Sequence, residues 1–216
     1  MKTGILFDLD GTLLDTLEDL WASTNFALSS MGYPQRSQEE VRQFVGNGAL
    51  RLIARAVPEG GDTEETLRRF REHYDAHCRV RTRPYAGILE ALDAVREKYP
   101  VAIVSNKPDA AVKILSRDYF SGIFARGEDS DCPRKPAPDM VRQAMAAIGV
   151  ERCVYVGDSE VDVRTAKNAG VPCLCVLWGF RNREELVEAG AEYFCGSTAD
   201  LPAAIDRICK EKLNGK

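Results

Sequence analysis

The pattern of apolar and polar residues along this chain changes character twice. Residues 4–7 form a short apolar run, and residues 15–80 then place apolar side chains at helical spacing without a convincing strand. From about residue 84, short apolar runs alternate with amphipathic stretches, which predicts a doubly wound, parallel α/β sheet. Because the helical stretch follows the first strand and precedes this alternation, we expect an all-helical cap domain at 15–80, inserted into an α/β core domain at 1–14 and 81–216.

Local signals mark the ends of several predicted elements. Ser37 and Glu40 have the spacing of a capping box, and Asp62 precedes another helix that runs to about Arg79. A Gly-Asn-Gly triplet at 46–48 breaks the chain between two further helical patterns. Later core strands are expected at 101–105, 123–125, 153–157, 173–177 and 193–195.

Composition narrows the class of protein. The chain has 216 residues, of which 44% are hydrophobic and 29% charged, as in soluble globular proteins. Its net charge of −4 argues against binding to nucleic acid or an anionic membrane, and no apolar run approaches the ~20 residues of a membrane span. The N-terminus lacks the pattern of a signal peptide, and the seven scattered cysteines form no CxxC pair. We therefore expect a cytoplasmic protein with reduced thiols, and we predict a monomer or a weak homodimer.

An acidic pair follows the first apolar run. Asp8 and Asp10 stand one residue apart at its carboxyl end, before Gly11 and Thr12. In open α/β sheets, ligands bind at this end of the strands. Two carboxylates there are costly to desolvate unless a cation or a proton compensates for them. A solvated junction between strand and loop is the plainer explanation of the pair on its own.

Three more groups of polar residues follow along the chain. Ser105, Asn106 and Lys107 come after the second core strand. Lys135 lies in a proline-rich loop before a helix, and Asp158 and Asp162 follow the strand after that helix. Each group alone also fits an ordinary role, as a helix cap, a surface lysine or an acidic helix start. Because parallel strands place their carboxyl ends at one edge of the sheet, we expect all of them to converge on the acidic pair.

This combination of side chains supports phosphoryl transfer. A phosphate monoester is dianionic, so several carboxylates share its pocket only with a divalent cation, and Mg²⁺ suits sites of oxygen ligands. A lysine and a hydroxyl can hold the remaining phosphoryl oxygens. One aspartate can attack phosphorus to form an aspartyl-phosphate, and a second carboxylate can protonate the leaving oxygen and then activate water.

The same residues resemble the signature of the haloacid dehalogenase superfamily, and within it the branch of phosphatases similar to phosphoglycolate phosphatase. The matching stretches are DLDGT at 8–12, Ser105 after the second strand, Lys135 in RKPAPD, and Asp158 with Asp162 in GDSEVD. VGNG at 45–48 and WGFRNREEL at 178–186 also look like that branch. The resemblance covers nearly the whole chain.

The resemblance implies a role for each residue of the signature. Asp8 would be the nucleophile and a metal ligand, and Asp10 would be the general acid and base and would offer its backbone carbonyl to Mg²⁺. The presence of Asp10 disfavours the dehalogenase branch. Ser105 and Lys135 would bind the phosphoryl group. Asp158 would complete the metal shell, and Asp162 would ligate the metal either directly or through water.

The helical stretch resembles the family's cap, which closes over the substrate and excludes bulk water. Asn47 lies in the glycine triplet, and Arg51 follows it closely enough to reach a substrate carboxylate or a second phosphate. A helix–helix turn followed by a surface arginine explains these two residues equally well. Thr12 and Asn106 are the other residues expected to bind substrate, Asn106 because it lies on the active edge of the sheet.

Three functions compete for this pattern. The leading hypothesis is a Mg²⁺-dependent phosphatase that acts on a small anionic phosphate ester such as 2-phosphoglycolate. A pyrophosphatase or a sugar-phosphate mutase on the same scaffold is the closest alternative. A phospho-acceptor signalling module also places an aspartate, a hydroxyl residue and a lysine at strand ends, but it needs neither the second aspartate of the first strand nor a helical cap.

Overall fold

The chain folds around a central parallel sheet. The computed structural model describes residues 2–213. Its strands are β1 (Thr3–Phe7), β2 (Leu14–Asp15), β3 (Arg83–Pro84), β4 (Val101–Pro108), β5 (Phe124–Glu128), β6 (Arg152–Gly157), β7 (Cys173–Val176) and β8 (Tyr193–Cys195). Six of them form one sheet in the order β5-β4-β1-β6-β7-β8, with every pair parallel. This order places β1 between β4 and β6, so the three strands that carry the predicted site are neighbours.

Ten α-helices accompany the strands within residues 2–213. Four precede β3, namely α1 (Leu17–Ser30), α2 (Gln38–Phe44), α3 (Ala49–Ala56) and α4 (Thr63–His77). Six follow it, namely α5 (Ile88–Arg96), α6 (Asp109–Tyr119), α7 (Asp139–Ala147), α8 (Glu160–Ala169), α9 (Arg183–Glu188) and α10 (Leu201–Ile208). The second group alternates with the strands, which is the doubly wound arrangement that the sequence pattern predicts.

Residues of β1 alternate between two hydrophobic clusters, one on each face of the sheet. Ile5 and Phe7 pack with residues of α5, α6 and α10, whereas Leu6 packs with residues of α7 and α8. Side chains of successive strand residues point to opposite faces, so a strand covered on both faces reads as a continuous apolar run. This explains why β1 has no polar residue between Gly4 and the acidic pair at its carboxyl end.

Helices α1 to α4 form a cap with its own hydrophobic cluster. Residues of all four helices pack together, and one residue from outside this stretch, Phe180, joins them. The short strands β2 and β3 pair antiparallel where the chain enters and leaves the cap. The domain limits at 15 and 80 remain a prediction, and this two-strand ribbon lies beside both of them.

The structure confirms most predicted elements and extends two, since the strand expected at 123–125 spans Phe124–Glu128. The Ser37–Glu40 capping box is present, and the Asp62 side chain accepts a hydrogen bond from the Glu65 N–H at 3.0 Å. The strand expected at 101–105 continues to Pro108, and the two-residue strands of the ribbon are absent from the sequence prediction. Such short strands show no alternation that a sequence pattern could reveal.

Two further expectations concern the thiols and the membrane. All seven cysteines are free, and six of them are buried. Within residues 2–213, none of the helices combines the length and the apolar character that crossing a bilayer requires.

Candidate active site

Lys135 joins two buried carboxylates at the carboxyl edge of the sheet. Its Nζ lies 2.8 Å from Oδ1 of Asp8 and 2.8 Å from Oδ1 of Asp162. It also donates to the Tyr155 hydroxyl at 3.1 Å, and that hydroxyl donates to the Val104 carbonyl at 3.2 Å. Burial alone would lower the pKa of Lys135, but the charges of Asp162 and Asp8 raise it well above its usual value. The ammonium group is thus charged, and its three N–H donors face three protein oxygens.

Asp158 is a third buried carboxylate at the same edge. Its two oxygens accept hydrogen bonds from the Thr12 hydroxyl at 2.9 Å and from the Phe180 N–H at 2.8 Å. A Cβ at Gly11 or at Gly179 would collide with the Asp158 side chain, and the φ of +83° at Gly11 also favours glycine. Asp158 is therefore held between the loop after β1 and the loop after β7.

Asp162 lies in the first turn of α8 and hydrogen-bonds both to Lys135 and to Ser159, the residue that follows Asp158. Its Oδ1 accepts the hydrogen bond from Lys135, and its Oδ2 accepts hydrogen bonds from the Ser159 hydroxyl at 2.6 Å and the Ser159 N–H at 3.1 Å. A Cβ at Gly157 would collide with Asp162, so glycine is needed where β6 approaches the helix. Both oxygens of Asp162 therefore already have protein partners.

The carboxylates of Asp8, Asp158 and Asp162 form a cluster that fits a divalent cation. One oxygen of each residue lies within 4.8 Å of the others. Burial, followed by the charge of Asp162, raises the pKa of Asp8 well above its usual value and raises the pKa of Asp158 to about 7. The single charge of Lys135 does not compensate three buried carboxylates. Oxygen ligands that repel one another in this way are the donor set that hard cations such as Mg²⁺ prefer.

The carboxylate of Asp10 lies with a different lysine. Its Oδ1 is 2.7 Å from Nζ of Lys107, whose side chain is 3% exposed. Burial would lower the pKa of Lys107, but the carboxylate of Asp10 more than offsets this and raises the pKa above its usual value. Ser105 lies two residues earlier in β4, and its hydroxyl accepts a hydrogen bond from the Lys107 N–H at 3.2 Å.

The side chain of Asn106 links the backbone of Lys135 to the cap. Its side-chain amide donates to the carbonyls of Lys135 and Gly46 at 3.0 and 3.1 Å, and its Oδ1 accepts from the Lys135 N–H at 2.8 Å. These bonds use both amide hydrogens, so the structure gives Asn106 a role in positioning Lys135 and the cap. Asn106 also lines the cavity, and its predicted contact with substrate remains a prediction. Thr12, expected to bind substrate too, is buried and donates its hydroxyl to Asp158.

The loop at 178–181, hereafter the cap-contact loop, ties the cap to the carboxylate cluster. The Trp178 indole donates to the Thr12 carbonyl at 3.0 Å. The Phe180 N–H donates to Asp158, while the Phe180 ring packs inside the cluster formed by the cap helices. One residue therefore contacts both the carboxylate cluster and the interior of the cap.

Two arginines cross the boundary between cap and core in opposite directions. From α2, Arg42 donates to the carbonyls of Gly179 at 2.7 Å and Phe180 at 3.0 Å. From the cap-contact loop, Arg181 also forms an ion pair with Glu160 at 2.9 Å. The same guanidinium donates to three carbonyls at the end of α2, those of Arg42 (3.1 Å), Gln43 (3.3 Å) and Val45 (2.8 Å). These bonds hold the cap against the core in a closed arrangement.

A cavity of about 50 Å³ lies between the cap and the sheet edge. Its floor contains Asp8, Asp10, Ser105, Asn106, Lys107, Lys135, Asp158 and Ser159, and its ceiling contains the cap residues Leu20, Val45, Leu52, Phe70 and Tyr74. This volume holds about four water molecules. The space beside the carboxylates therefore suits a small polar group.

The structure brings together the predicted residues of the core but not those of the cap. Gly46, Gly48 and Ala49 line the cavity, whereas Asn47 and Arg51 are not among its lining residues. Arg51 is exposed. The backbone of the glycine triplet is thus the part of this predicted site that contacts the cavity.

Sequence patterns do not reveal the roles of several residues. Lys107 belongs to the polar group expected after the second core strand, but its pairing with Asp10 is visible only in the structure. Tyr74 and Arg42 lie on helices whose pattern of apolar and charged residues is typical of any amphipathic helix. Arg181 lies in the stretch at 178–186, whose only signal in the sequence is its resemblance to the phosphatase branch. Their importance comes from contacts between cap and core, which local sequence patterns do not encode.

Comparison with known proteins agrees with the fold and the site. Residues 5–176 match the profile of the family described as haloacid dehalogenase-like hydrolase. The chain belongs to this family, whose members have the parallel sheet with a helical cap described above. Its relatives within the family make it a phosphatase similar to phosphoglycolate phosphatases.

Three relatives illustrate the extent of this similarity. The chain is 38% identical to the phosphoglycolate phosphatase of Cereibacter sphaeroides over 189 residues, which cover 83% of this chain and 87% of that protein. It is 34% identical to phosphoglycolate phosphatase 1 of Pseudomonas aeruginosa over 221 residues, which cover 95% of this chain and 80% of that protein. The crystal structure of a candidate phosphoglycolate phosphatase from Lactobacillus delbrueckii subsp. bulgaricus superposes with a TM-score of 0.89 at 35% identity, covering 95% of this chain and 99% of that chain.

The raised pKa of Asp158 predicts that stabilisation by Mg²⁺ depends on pH. In the metal-free protein, a carboxyl with a pKa of about 7 contributes stability when protonated and loses it as pH rises through that value. A bound cation takes the place of the proton. The increase in melting temperature on adding Mg²⁺ should therefore be larger at about pH 8 than at about pH 5.5. Scanning fluorimetry with and without Mg²⁺ measures this, and an equal increase at both pH values would contradict it.

The crossing arginines predict a link between cap closure and turnover. Arg42→Met and Arg181→Met should each lower kcat/KM by roughly 10-fold or more, because a hydrogen bond from a charged donor contributes about 1.5–3 kcal/mol. Hydrogen exchange in the peptides around 38–45 and 178–182 should become faster. Arg55→Met is the matched control, since Arg55 donates to the Phe44 carbonyl within the cap. Unchanged exchange in the two test variants would show that these bonds do not hold the cap.

Proposed function

We propose that this protein hydrolyses a small anionic phosphate monoester in the presence of Mg²⁺, through an aspartyl-phosphate on Asp8. The observation that carries the proposal is the position of Asp8 on the floor of the enclosed cavity, between a buried lysine and two further carboxylates. The relatives named phosphoglycolate phosphatase make 2-phosphoglycolate the first substrate to test.

The first half of the reaction transfers the phosphoryl group to the protein. Lys135 and the Leu9 N–H, which donates to Asp8 Oδ1 at 2.7 Å, hold one oxygen of the nucleophile. The other carboxylate oxygen attacks phosphorus as the bond to the ester oxygen breaks. Asp10 in its protonated form gives a proton to that leaving oxygen, and the alcohol departs. Ser105, with its hydroxyl at the cavity, hydrogen-bonds the phosphoryl oxygens.

The second half returns Asp8 to its starting state. Asp10, now a carboxylate, removes a proton from a water molecule that attacks the phosphorus of the aspartyl-phosphate. The bond between phosphorus and the Asp8 oxygen breaks, and inorganic phosphate leaves. The closed cap keeps other water away from the intermediate, because the apolar ceiling covers the floor of the site.

The cation would be held by Asp8 and Asp158, with the backbone carbonyl of Asp10 as a further ligand. We propose that Asp162 contributes through water, because its Oδ1 pairs with the charged Lys135 and its Oδ2 accepts two hydrogen bonds from Ser159. Each oxygen of Asp158 accepts a hydrogen bond from a neutral donor, Thr12 or Phe180, and thus keeps more capacity for a cation. When bound, Mg²⁺ neutralises the charge of carboxylates and phosphate so that they can share one pocket. Lys135 contacts both Asp8 and Asp162 and keeps the nucleophile in place.

The partners and location that we propose follow the sequence expectations. The substrate is a small-molecule phosphate ester, and nucleic acid and membranes are not partners. We propose a cytoplasmic protein that is a monomer or a weak homodimer. A large, stable assembly in size-exclusion chromatography would refute the second of these statements.

Asp8→Asn tests the nucleophile. The variant should lose at least about 1,000-fold in kcat because an amide cannot form the covalent intermediate, while its melting temperature stays near that of the unmodified protein. Phosphate release from 2-phosphoglycolate, with Mg²⁺ and with chelator, measures this directly. Asp118→Asn, a change to an aspartate that pairs with Arg79 at the surface, is the matched control.

Two results would contradict the proposal. Near-normal turnover by Asp8→Asn would remove the covalent mechanism, and release that persists in chelator would remove the metal requirement. Conversion of a hexose 1-phosphate to an isomer, without phosphate release from any ester, would indicate a mutase instead.

A further inference from the structure

The two buried lysines of the site differ in how many of their hydrogen-bond donors are occupied. Lys135 has three oxygen partners, from Asp8, Asp162 and Tyr155. Lys107 has one among the residues that the structure describes, the carboxylate of Asp10 at 2.7 Å. An ammonium group has three N–H donors, so the bond to Asp10 leaves Lys107 with further donors that can reach a ligand in the cavity. Unused charged donors in a buried position are costly unless a ligand accepts from them.

A second unused donor lies beside Lys107. The hydroxyl of Tyr74 is buried and makes no hydrogen bond within residues 2–213. The Lys107 ammonium lies 4.8 Å from the centre of the Tyr74 ring, and both residues line the cavity. Tyr74 comes from α4 of the cap and Lys107 from β4 of the core, so the pair forms only when the cap is closed.

Tyr74 is also chemically distinct from the rest of the ceiling. The other cap residues that line the cavity have apolar side chains or are glycines. A ceiling built only to exclude water would need no hydroxyl there. In addition to the carboxylate cluster, the cavity thus contains an ammonium group from the core and a phenol from the cap that lie together.

From this juxtaposition we propose that Lys107 and Tyr74 form a binding site for a second acidic group of the substrate, a carboxylate close to the phosphate ester. The free N–H donors of Lys107 and the hydroxyl of Tyr74 donate to the carboxylate oxygens, while the phosphoryl group lies on the floor beside Asp8. The inference rests on the proposed phosphatase function and adds the residues that select its substrate. Esters with a neutral group in place of the carboxylate leave these donors unpaired and bind less well.

The site assigns different tasks to the two lysines. Lys135 is enclosed by protein oxygens and keeps the nucleophile and Asp162 in position. Lys107 retains donors for the substrate and at the same time holds Asp10 near the leaving oxygen. Selection of the substrate and placement of the acid therefore depend on one side chain.

A matched pair of substrates tests this site. 2-Phosphoglycolate and ethyl phosphate have the same two-carbon skeleton. The first has a carboxylate where the second has a methyl group. Tyr74→Phe removes only the hydroxyl, and Lys107→Met removes the charge while keeping the length. We expect the ratio of kcat/KM for 2-phosphoglycolate to that for ethyl phosphate to fall by about 10-fold in Tyr74→Phe, chiefly through KM, and by about 100-fold in Lys107→Met.

Binding without turnover gives a second measurement that does not depend on Asp10. In the Asp8→Asn background, calorimetry should show tighter binding of 2-phosphoglycolate than of ethyl phosphate, and each of the two variants should reduce that preference. This binding measurement remains informative even if Lys107→Met lowers all rates by misplacing Asp10. Lys113→Met is the control, because Lys113 pairs with Asp109 and is 64% exposed.

The outcomes separate the two proposals. If the unmodified protein hydrolyses neither ester with Mg²⁺, the proposed function fails. If it hydrolyses both with equal efficiency, or if Tyr74→Phe and Lys107→Met leave the ratio and the binding preference unchanged, the phosphatase remains and the carboxylate site is wrong.

Discussion

The ammonium group of Lys135 makes the rest of the site possible. Asp8 and Asp162 are buried at the edge of a parallel sheet, where unpaired carboxylates would be strongly destabilised. One lysine placed 2.8 Å from both reduces that cost but leaves negative charge uncompensated when Asp158 is included. The carboxylate cluster therefore fits a cation, and binding of the proposed cation would draw on the same electrostatic balance as folding stability.

The cap and the core contribute opposite kinds of surface to the cavity. Strand ends supply charge and hydrogen bonds on the floor, while helices supply an apolar ceiling broken by a single hydroxyl. This separation lets the chemistry stay constant while the ceiling changes, because no cap side chain is needed to hold Asp8 or the cation. Phe180 is the exception that joins the two halves, since its ring belongs to the cap cluster and its N–H to Asp158.

The sequence predicts the chemistry of the core better than the contacts of the cap. Asp8, Asp158 and Lys135 follow apolar strands or precede helices, and the rule that parallel strands share one edge is enough to bring them together. Asn47 and Arg51 have no such rule, because the position of a helix over the sheet depends on packing between distant segments. The contact between Lys107 and Tyr74 could not be predicted for a related reason, since Tyr74 lies on a helix whose sequence is typical of a cap interior.

The crossing arginines of cap and core share a feature of their acceptors. Arg42 and Arg181 both donate to backbone carbonyls, at Gly179 and Phe180 on one side and at the end of α2 on the other. A carbonyl is present whatever the side chain, so Gln43 and Val45 can be replaced without removing an acceptor. The contact between cap and core thus tolerates substitutions on the side that supplies the carbonyl acceptors. Covariation between positions would therefore not reveal this contact. Redesign of the ceiling for another substrate can proceed while both guanidinium groups stay in place.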